Sequence, residues 1–205
     1  STIDGMLDDY AFVSEACLSV YQLSGDEKYL TLANQLTQNA IRHFYDIEKE
    51  IFYFNKKNEL IVRTTEIHDN VIPATNSAMA HVLLQLGLIY GNTEYLSISE
   101  NLVGKVQQNI SEYPGSYANW ARVHLKHSAP FYEIAVVGNE AIEIANQLHA
   151  YQIPNTLIVP CTQSSEIPLL KNRFVANKTL IYVCKKGACS MPVENIEEAL
   201  KLIQP

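Results

Sequence analysis

The strongest constraint on the fold is an internal repeat. "YQLSGDEKYLTLANQL" (21–36) aligns without a gap on "GLIYGNTEYLSISENL" (87–102), so that Gly25 falls on Gly91, Tyr29 on Tyr95, Leu30 on Leu96 and Leu36 on Leu102. In each copy a Gly-Asp or Gly-Asn step divides two long helical patterns. Glycine there suits a helix C-cap, and the polar residue after it can open the next helix, so each copy predicts a helical hairpin.

The two helices of a hairpin differ in kind. Residues 9–23 and 77–90 are apolar on nearly every side. Residues 28–45 keep a stripe at Tyr29, Leu32, Ala33, Leu36, Ala40 and Phe44, and residues 95–110 one at Tyr95, Ile98, Leu102, Val106 and Ile110. An all-round apolar helix is enclosed, and a striped one faces water. A third helix of the enclosed kind is expected at 115–127. Two concentric layers of helices produce this alternation, as in an α/α toroid or a solenoid, and the period is too long for the common short helical repeats. "IFYF" (51–54) and "ELIVR" (59–63) around "NKKN" read as a β-hairpin insert.

Beyond residue 130 the pattern changes. Residues 133–138, 155–161 and 178–184 read as strands, and 139–152 and 193–204 as helices, which gives a βαβ unit with parallel pairing. The expected fold is therefore mainly α: helical hairpins of a truncated α/α toroid over 1–130, then a small α/β C-terminal domain over 131–205. Gly138 alone after the first of these strands does not make the Gly-rich dinucleotide fingerprint, and no cofactor is expected.

Composition narrows the function classes. The chain has 205 residues, 47% of them apolar, which is enough to bury a full core. A formal net charge of -7 without a basic run argues against nucleic acid as a partner. No apolar run approaches the roughly 20 residues of a membrane span, and no charged-then-apolar leader opens the chain. Cys17 and Cys161 sit in apolar patterns, as small buried hydrophobes do. Cys184 and Cys189, in "YVCKKGACSMP", are spaced for a disulfide or for two soft metal ligands, with no second pair to complete a zinc site. The expectation is four reduced thiols in a reducing, cytoplasmic compartment.

One stretch concentrates reactive side chains. "TTEIHDNVIPATNS" (64–77) crowds Glu66, His68 and Asp69 into four positions just before an enclosed helix, in a chain with only 18% charged residues. In a toroid, loops entering the inner helices line the mouth of the cavity, and "LDDY" (7–10) enters the other inner helix. Glu66, Asp69 and Asp9 are the candidate catalytic residues, because paired carboxylates with shifted pKa values can move protons at a sugar carbon or glycosidic oxygen. Asp8, Tyr10, Arg63, His68, Asn76 and Ser77 are the candidate substrate contacts, Asn76 and Ser77 presenting polar groups at a helix start. The plainer reading makes Asp8, Asp9, Thr75 and Ser77 helix caps and pairs Glu66 with Arg63. His124 and His127 are spaced to share a metal ion but lack a third ligand, so no metal is expected. Tyr113, Tyr117 and Trp120 could stack on a sugar ring, although aromatic residues at helical spacing more often fill a core.

The ordered set "GMLDDYAF" (5–12), the Gly-Asp-x-x-Tyr-Leu hairpins, "RTTEIHDNVIPATNS" (63–77), "AVVGN" (135–139) and "YVCKKGACSMPV" (182–193) resembles the C-terminal part of the thioredoxin-domain-containing, spermatogenesis-associated type proteins. The resemblance runs from about Gly5 to Leu202. It implies a parent with an N-terminal thioredoxin-like domain followed by a six-hairpin toroid like those of sugar epimerases and glycosidases, of which this chain holds the final hairpins and the α/β tail. Where relatives carry "EIYDGAIPSGNS", this chain has His68 for a tyrosine and Asn70 and Thr75 for glycines. Two functions of different class follow. The toroid binds a carbohydrate and acts on it by epimerase- or hydrolase-like acid–base chemistry, or it is a non-catalytic docking platform for the thioredoxin-like domain or another partner.

Overall fold

The computed structural model describes residues 5–56 and 62–203. Two antiparallel helical hairpins open the chain: α1 (Leu7–Ser24) with α2 (Glu27–Phe44), and α3 (Thr75–Tyr90) with α4 (Thr93–Glu112). The repeat explains their turns. Gly25 and Gly91 end α1 and α3 in the left-handed region, at φ 68° and 61°, where a side chain is unfavourable. Asp26 then accepts a hydrogen bond from the Lys28 N–H, and Asn92 from those of Glu94 and Tyr95, capping α2 and α4. Tyr29 and Tyr95 occupy the same position in α2 and α4 and both pack on the main core.

The third inner helix, α5 (Ala118–Ser128), follows a short 3-10 turn at Pro114–Ser116. The inner helices α1, α3 and α5 lie side by side, with α3 between the other two and sealed on nearly every side. The other two are less enclosed than their patterns predict. Helix α5 buries only Trp120 and Val123 fully. Helix α1, packed against α2, α3, the helix of the later βαβ unit and the sheet, still exposes Val13, Val20 and Leu23 at 47, 39 and 52%.

The insert also differs from expectation. Strand β2 (Ile51–Phe52) pairs antiparallel with β1 (Tyr45–Asp46), directly after α2. Asp46 Oδ1 accepts from the N–H groups of Glu48 and Lys49, which closes the turn on the N-terminal side of β2. Most of the expected second arm, residues 59–61, lies outside the described residues, and beyond it Thr64 O accepts from Phe54 N at 2.8 Å.

The last third is a four-stranded sheet in the order β4-β3-β5-β6, formed by β3 (Tyr132–Val137), β4 (Thr156–Cys161), β5 (Leu180–Lys185) and β6 (Ala188–Cys189). Strands β3 and β4 are parallel, joined by α6 (Ala141–Ala150), which is the expected βαβ unit. Strand β5 runs antiparallel to β3, and α7 (Ile196–Ile203) closes the chain. Alternation along the strands divides the sheet's faces. Ala135, Val137, Leu157 and Val159 join the core of the helical hairpins, whereas Ile134, Val136, Ile158, Ile181 and Val183 pack with α6 and α7.

The cysteines correct the expectation of four thiols: Cys184 and Cys189 form a disulfide, and Cys17 and Cys161 are free and buried. The cause is a two-residue hairpin. Lys186 and Gly187 adopt φ 52° and 77°, the double left-handed turn that matches strand twist. That turn sets Cys184 opposite Cys189, one step from the Lys185–Ala188 pair, in the non-hydrogen-bonded position where facing side chains come closest. Thiol titration of denatured, unreduced protein should therefore return two thiols per chain, and a count of four would refute the bridge.

Candidate functional site

The 64–77 segment is tied down by its own polar groups. Asp69 Oδ1 accepts from the Ala74 N–H at 2.8 Å and lies 3.0 Å from Ser77 Oγ, while Oδ2 accepts from the Asn119 N–H at 2.8 Å. One carboxylate thereby holds the starts of both α3 and α5. The cap position of α3 is Ala74, which has no side-chain acceptor, so Asp69 supplies from the loop what Thr75 and Ser77 were expected to supply. The Asp69 N–H donates to Ser116 O and Trp120 Nε1 to Ile67 O, which fastens the loop along its length.

Asn76 is fully buried and completely engaged. Its Oδ1 accepts from Phe52 N, and its Nδ2 donates to Phe52 O and Glu66 O. Ser77 is buried as well, accepting from Asn119 Nδ2 at 2.8 Å. Both side chains, expected to face a ligand, are turned into the protein. Arg63 donates to Asn55 O and Phe44 O and lies over the Tyr53 ring at 3.9 Å; it does not pair with Glu66. Asp9 accepts from Met6 N and Asp8 from Asp9 N, both at the start of α1, and Tyr10 packs against Phe44. The structure thus joins Asp69 to Ser77, and Asn76 to the backbone of Glu66, while Asp9 and Asp8 stay with their own helix. Glu66 and His68 are exposed, with His68 edge-on to Tyr117, and both line a pocket of about 360 Å³ with Pro73 and Val71.

A second cluster, which the sequence reading missed, lies further along the inner helices. His81 of α3, only 6% exposed, sits between Glu15 of α1 and Lys126 of α5. Its Nδ1 is 2.8 Å from Glu15 Oε1 and its Nε2 is 2.7 Å from Lys126 Nζ. A neutral imidazole satisfies both contacts in one tautomer: Nδ1–H donates to the carboxylate, and Nε2 accepts from the ammonium. Arg122 Nη2 stands 2.9 Å from Glu15 Oε1 and 3.0 Å from His81 Nδ1; with Nδ1 protonated it donates to the carboxylate, so two donors converge on that oxygen. Gln85 Nε2 stands 3.3 Å from His81 Nε2, and its Oε1 accepts from Gln22 Nε2. Three inner helices therefore each contribute to one continuous polar line, Glu15–His81–Lys126.

The electrostatics follow from burial. Burial, with Lys126 and Arg122 adding like charge against the opposing pull of Glu15, brings His81 down to about 4. Burial and Arg122 likewise lower Lys126 to about 8. Burial works to raise the Glu15 pKa, but His81 and Arg122 outweigh it and hold the carboxyl below its ordinary value. At neutral pH the line reads carboxylate, neutral imidazole, ammonium. Lys126 carries the proton that can be given up near neutral pH, and His81 and Glu15 hold it in place. Lys126 also lines a cavity of about 510 Å³ between α3, α4, α5 and the β5–β6 hairpin, together with Leu88, Leu96, Phe131 and Glu133.

The remaining candidates are core or surface. Tyr117 and Trp120 are buried and Tyr113 is exposed. His127 Nε2 lies 2.9 Å from Ser99 Oγ, and among the described residues no group of three His, Cys, Asp or Glu side chains is placed to hold a metal ion. Among the described residues no helix is long and apolar enough to cross a membrane. In retrospect the signal for the second cluster was Glu15, His81 and Gln85 inside otherwise apolar helices, polar exceptions whose partners are far away in sequence.

No protein-family model matches the chain. Its sequence is 24% identical over 215 residues to spermatogenesis-associated protein 20 of Homo sapiens, an alignment covering 98% of this chain and 27% of that protein. The Rattus norvegicus counterpart is 24% identical over 213 residues, with 97% and 27% covered. An uncharacterized protein of Caenorhabditis elegans is 24% identical over 203 residues, with 95% and 28% covered. The chain spans 27% of the length of the mammalian relatives it matches. It is a remote relative of these proteins along nearly its whole length, and aligns with about a quarter of each.

Proposed function

We propose that the inner face of α1, α3 and α5 is an acid–base site for a carbohydrate ligand, in a helical toroid that the full-length protein completes. The observation that carries this reading is buried His81, held as a neutral imidazole between Glu15 and Lys126 on three different helices. Lys126, on the accessible side, donates the proton to the ligand, His81 Nε2 accepts from the Lys126 ammonium and orients it, and Glu15 fixes the tautomer. Arg122 binds a ligand oxygen or phosphate. Glu66 and His68 sit at the rim, one to two turns toward the helix N-termini: His81 is six residues past the start of α3, about 9 Å at 1.5 Å per residue. Asp69, Asn76 and Asp9 hold the frame. The resemblance adds a thioredoxin-like domain in the same parent chain as the nearest partner.

The test begins with binding of neutral sugars and sugar phosphates to the full-length parent, followed by assay of any sugar bound for epimerisation or hydrolysis. His81→Gln and Lys126→Met should each lower turnover by about 100-fold or more, the usual contribution of a positioned acid or base. Turnover should fall as pH rises through about 8, where Lys126 loses its proton. Full activity in both variants, with loss in Glu66→Gln, would move the chemistry to the rim.

A second reading has its own observation. The exposed Val13, Val20 and Leu23 give α1 an apolar flank suited to docking another element. If no ligand binds the parent, and substituting these three residues by polar ones releases a domain of the parent, the chain is a docking module.

A further inference from the structure

We propose that the Cys184–Cys189 bridge is a thiol–disulfide exchange site whose substrate is a dithiol. The two sulfurs are unequal. Cys189 is exposed on the short edge strand β6, and Cys184 is buried on β5. Arg173 spans them, with Nη1 3.1 Å from Cys184 Sγ and Nη2 3.1 Å from Cys189 Sγ. The guanidinium is itself held in place: it lies 5.0 Å over the Tyr182 ring, and Arg173 O accepts from Tyr182 Oη at 2.8 Å. A fixed cation at a sulfur stabilises a thiolate, which makes that sulfur a better leaving group. The bridge contributes little by cross-linking, since so short a loop constrains the unfolded chain least and the turn and ladder already close the hairpin.

The exchange balances with a dithiol alone. One thiolate of the dithiol attacks exposed Cys189 Sγ, the Cys184–Cys189 bond breaks, and Cys184 leaves as a thiolate beside Arg173. The second thiol of the dithiol, as thiolate, then attacks its partner sulfur in the mixed disulfide and releases Cys189. The protein bridge gains two electrons and two protons, and the dithiol is oxidised to its disulfide. Glu133 stands opposite Cys184 in the register, on the same face of the sheet, and lines the cavity with Lys186 and Gly187 of the turn. The exchange site and that cavity share a wall.

Dithiothreitol, under native conditions and with alkylation and mass measurement as the readout, tests this on the full 205-residue chain. The bridge should open while circular dichroism stays native, and Arg173→Gln should slow opening about tenfold. In Cys184→Ser the remaining Cys189 should form a mixed disulfide with an aromatic disulfide reagent, and in Cys189→Ser the remaining Cys184 should react at least about tenfold more slowly. These two single-cysteine variants decide the matter if Arg173→Gln fails to fold. Opening only on unfolding, an unchanged rate in a folded Arg173→Gln variant, or equal reactivity of the two single cysteines would overturn the proposal.

Discussion

Replacing Asp69 by alanine should destabilise the protein by about 4 kcal/mol, lowering its Tm by roughly 10 °C. Donors from two helix starts meet at this carboxylate: Ala74 N and the Ser77 hydroxyl, which also reaches Ala74 O, from α3, and Asn119 N from α5. Hydrogen bonds to a charged group contribute about 1.5–3 kcal/mol each, and their loss leaves donors at two helix starts without acceptors. Water reaches the half-buried site and recovers part of the loss, so the sum stays below the additive limit. Asp69→Asn should lie between, since its amide keeps one acceptor and sets an N–H against a donor. Glu66→Gln, on the exposed side of the same loop, should change stability by no more than about 0.5 kcal/mol. Urea denaturation of the three variants measures this. An Asp69→Ala variant as stable as the parent chain would free that carboxylate for ligand chemistry.

The second large effect is on acid stability. Histidine in the unfolded chain takes up its proton near 6.5, whereas His81 in the fold does so at about 4. Between those values the unfolded state binds more protons than the folded state, so stability is greatest above pH 6.5 and falls as the pH drops toward 4. The width of the window corresponds to about 3 kcal/mol. Glu15, with its pKa lowered, adds a further loss below its ordinary range as it protonates. His81→Gln should flatten the curve between pH 6.5 and 4, at some cost in stability at neutral pH. Stability of the parent chain that is constant across that window would show that His81 protonates without penalty.

The parts of the fold that were legible are those written in local chemistry. The Gly25–Asp26 and Gly91–Asn92 turns carry their own conformational reasons, and so does the apolar strand–helix–strand of β3, α6 and β4. The pairing of Tyr45–Asp46 with Ile51–Phe52 was not legible, because Tyr45–Asp46 continues a helical pattern without a break and the turn after it depends on one aspartate side chain. The disulfide was missed because Lys186 adopts a left-handed conformation more typical of Asn or Gly, so the two-residue turn did not look like one. For the site, the crowded 64–77 segment was the right place to look for a constraint but pointed to a frame. Asp69, Asn76 and Ser77 there satisfy one another and the backbone. The Glu15–His81–Lys126 line joins residues from three helices, and nothing local in any of the three segments announces the other two.

The most direct test of this account is the protonation of the His81 ring, followed by long-range proton–nitrogen correlation in nitrogen-labelled protein, with His81→Gln to assign the signal. The account predicts that Nδ1 carries the proton and that Nε2 stays unprotonated from pH 7 down to pH 5, with titration centred at about 4. A ring that titrates near pH 6.5, or one that carries its neutral proton on Nε2, would contradict the Glu15–His81–Lys126 line and the function built on it.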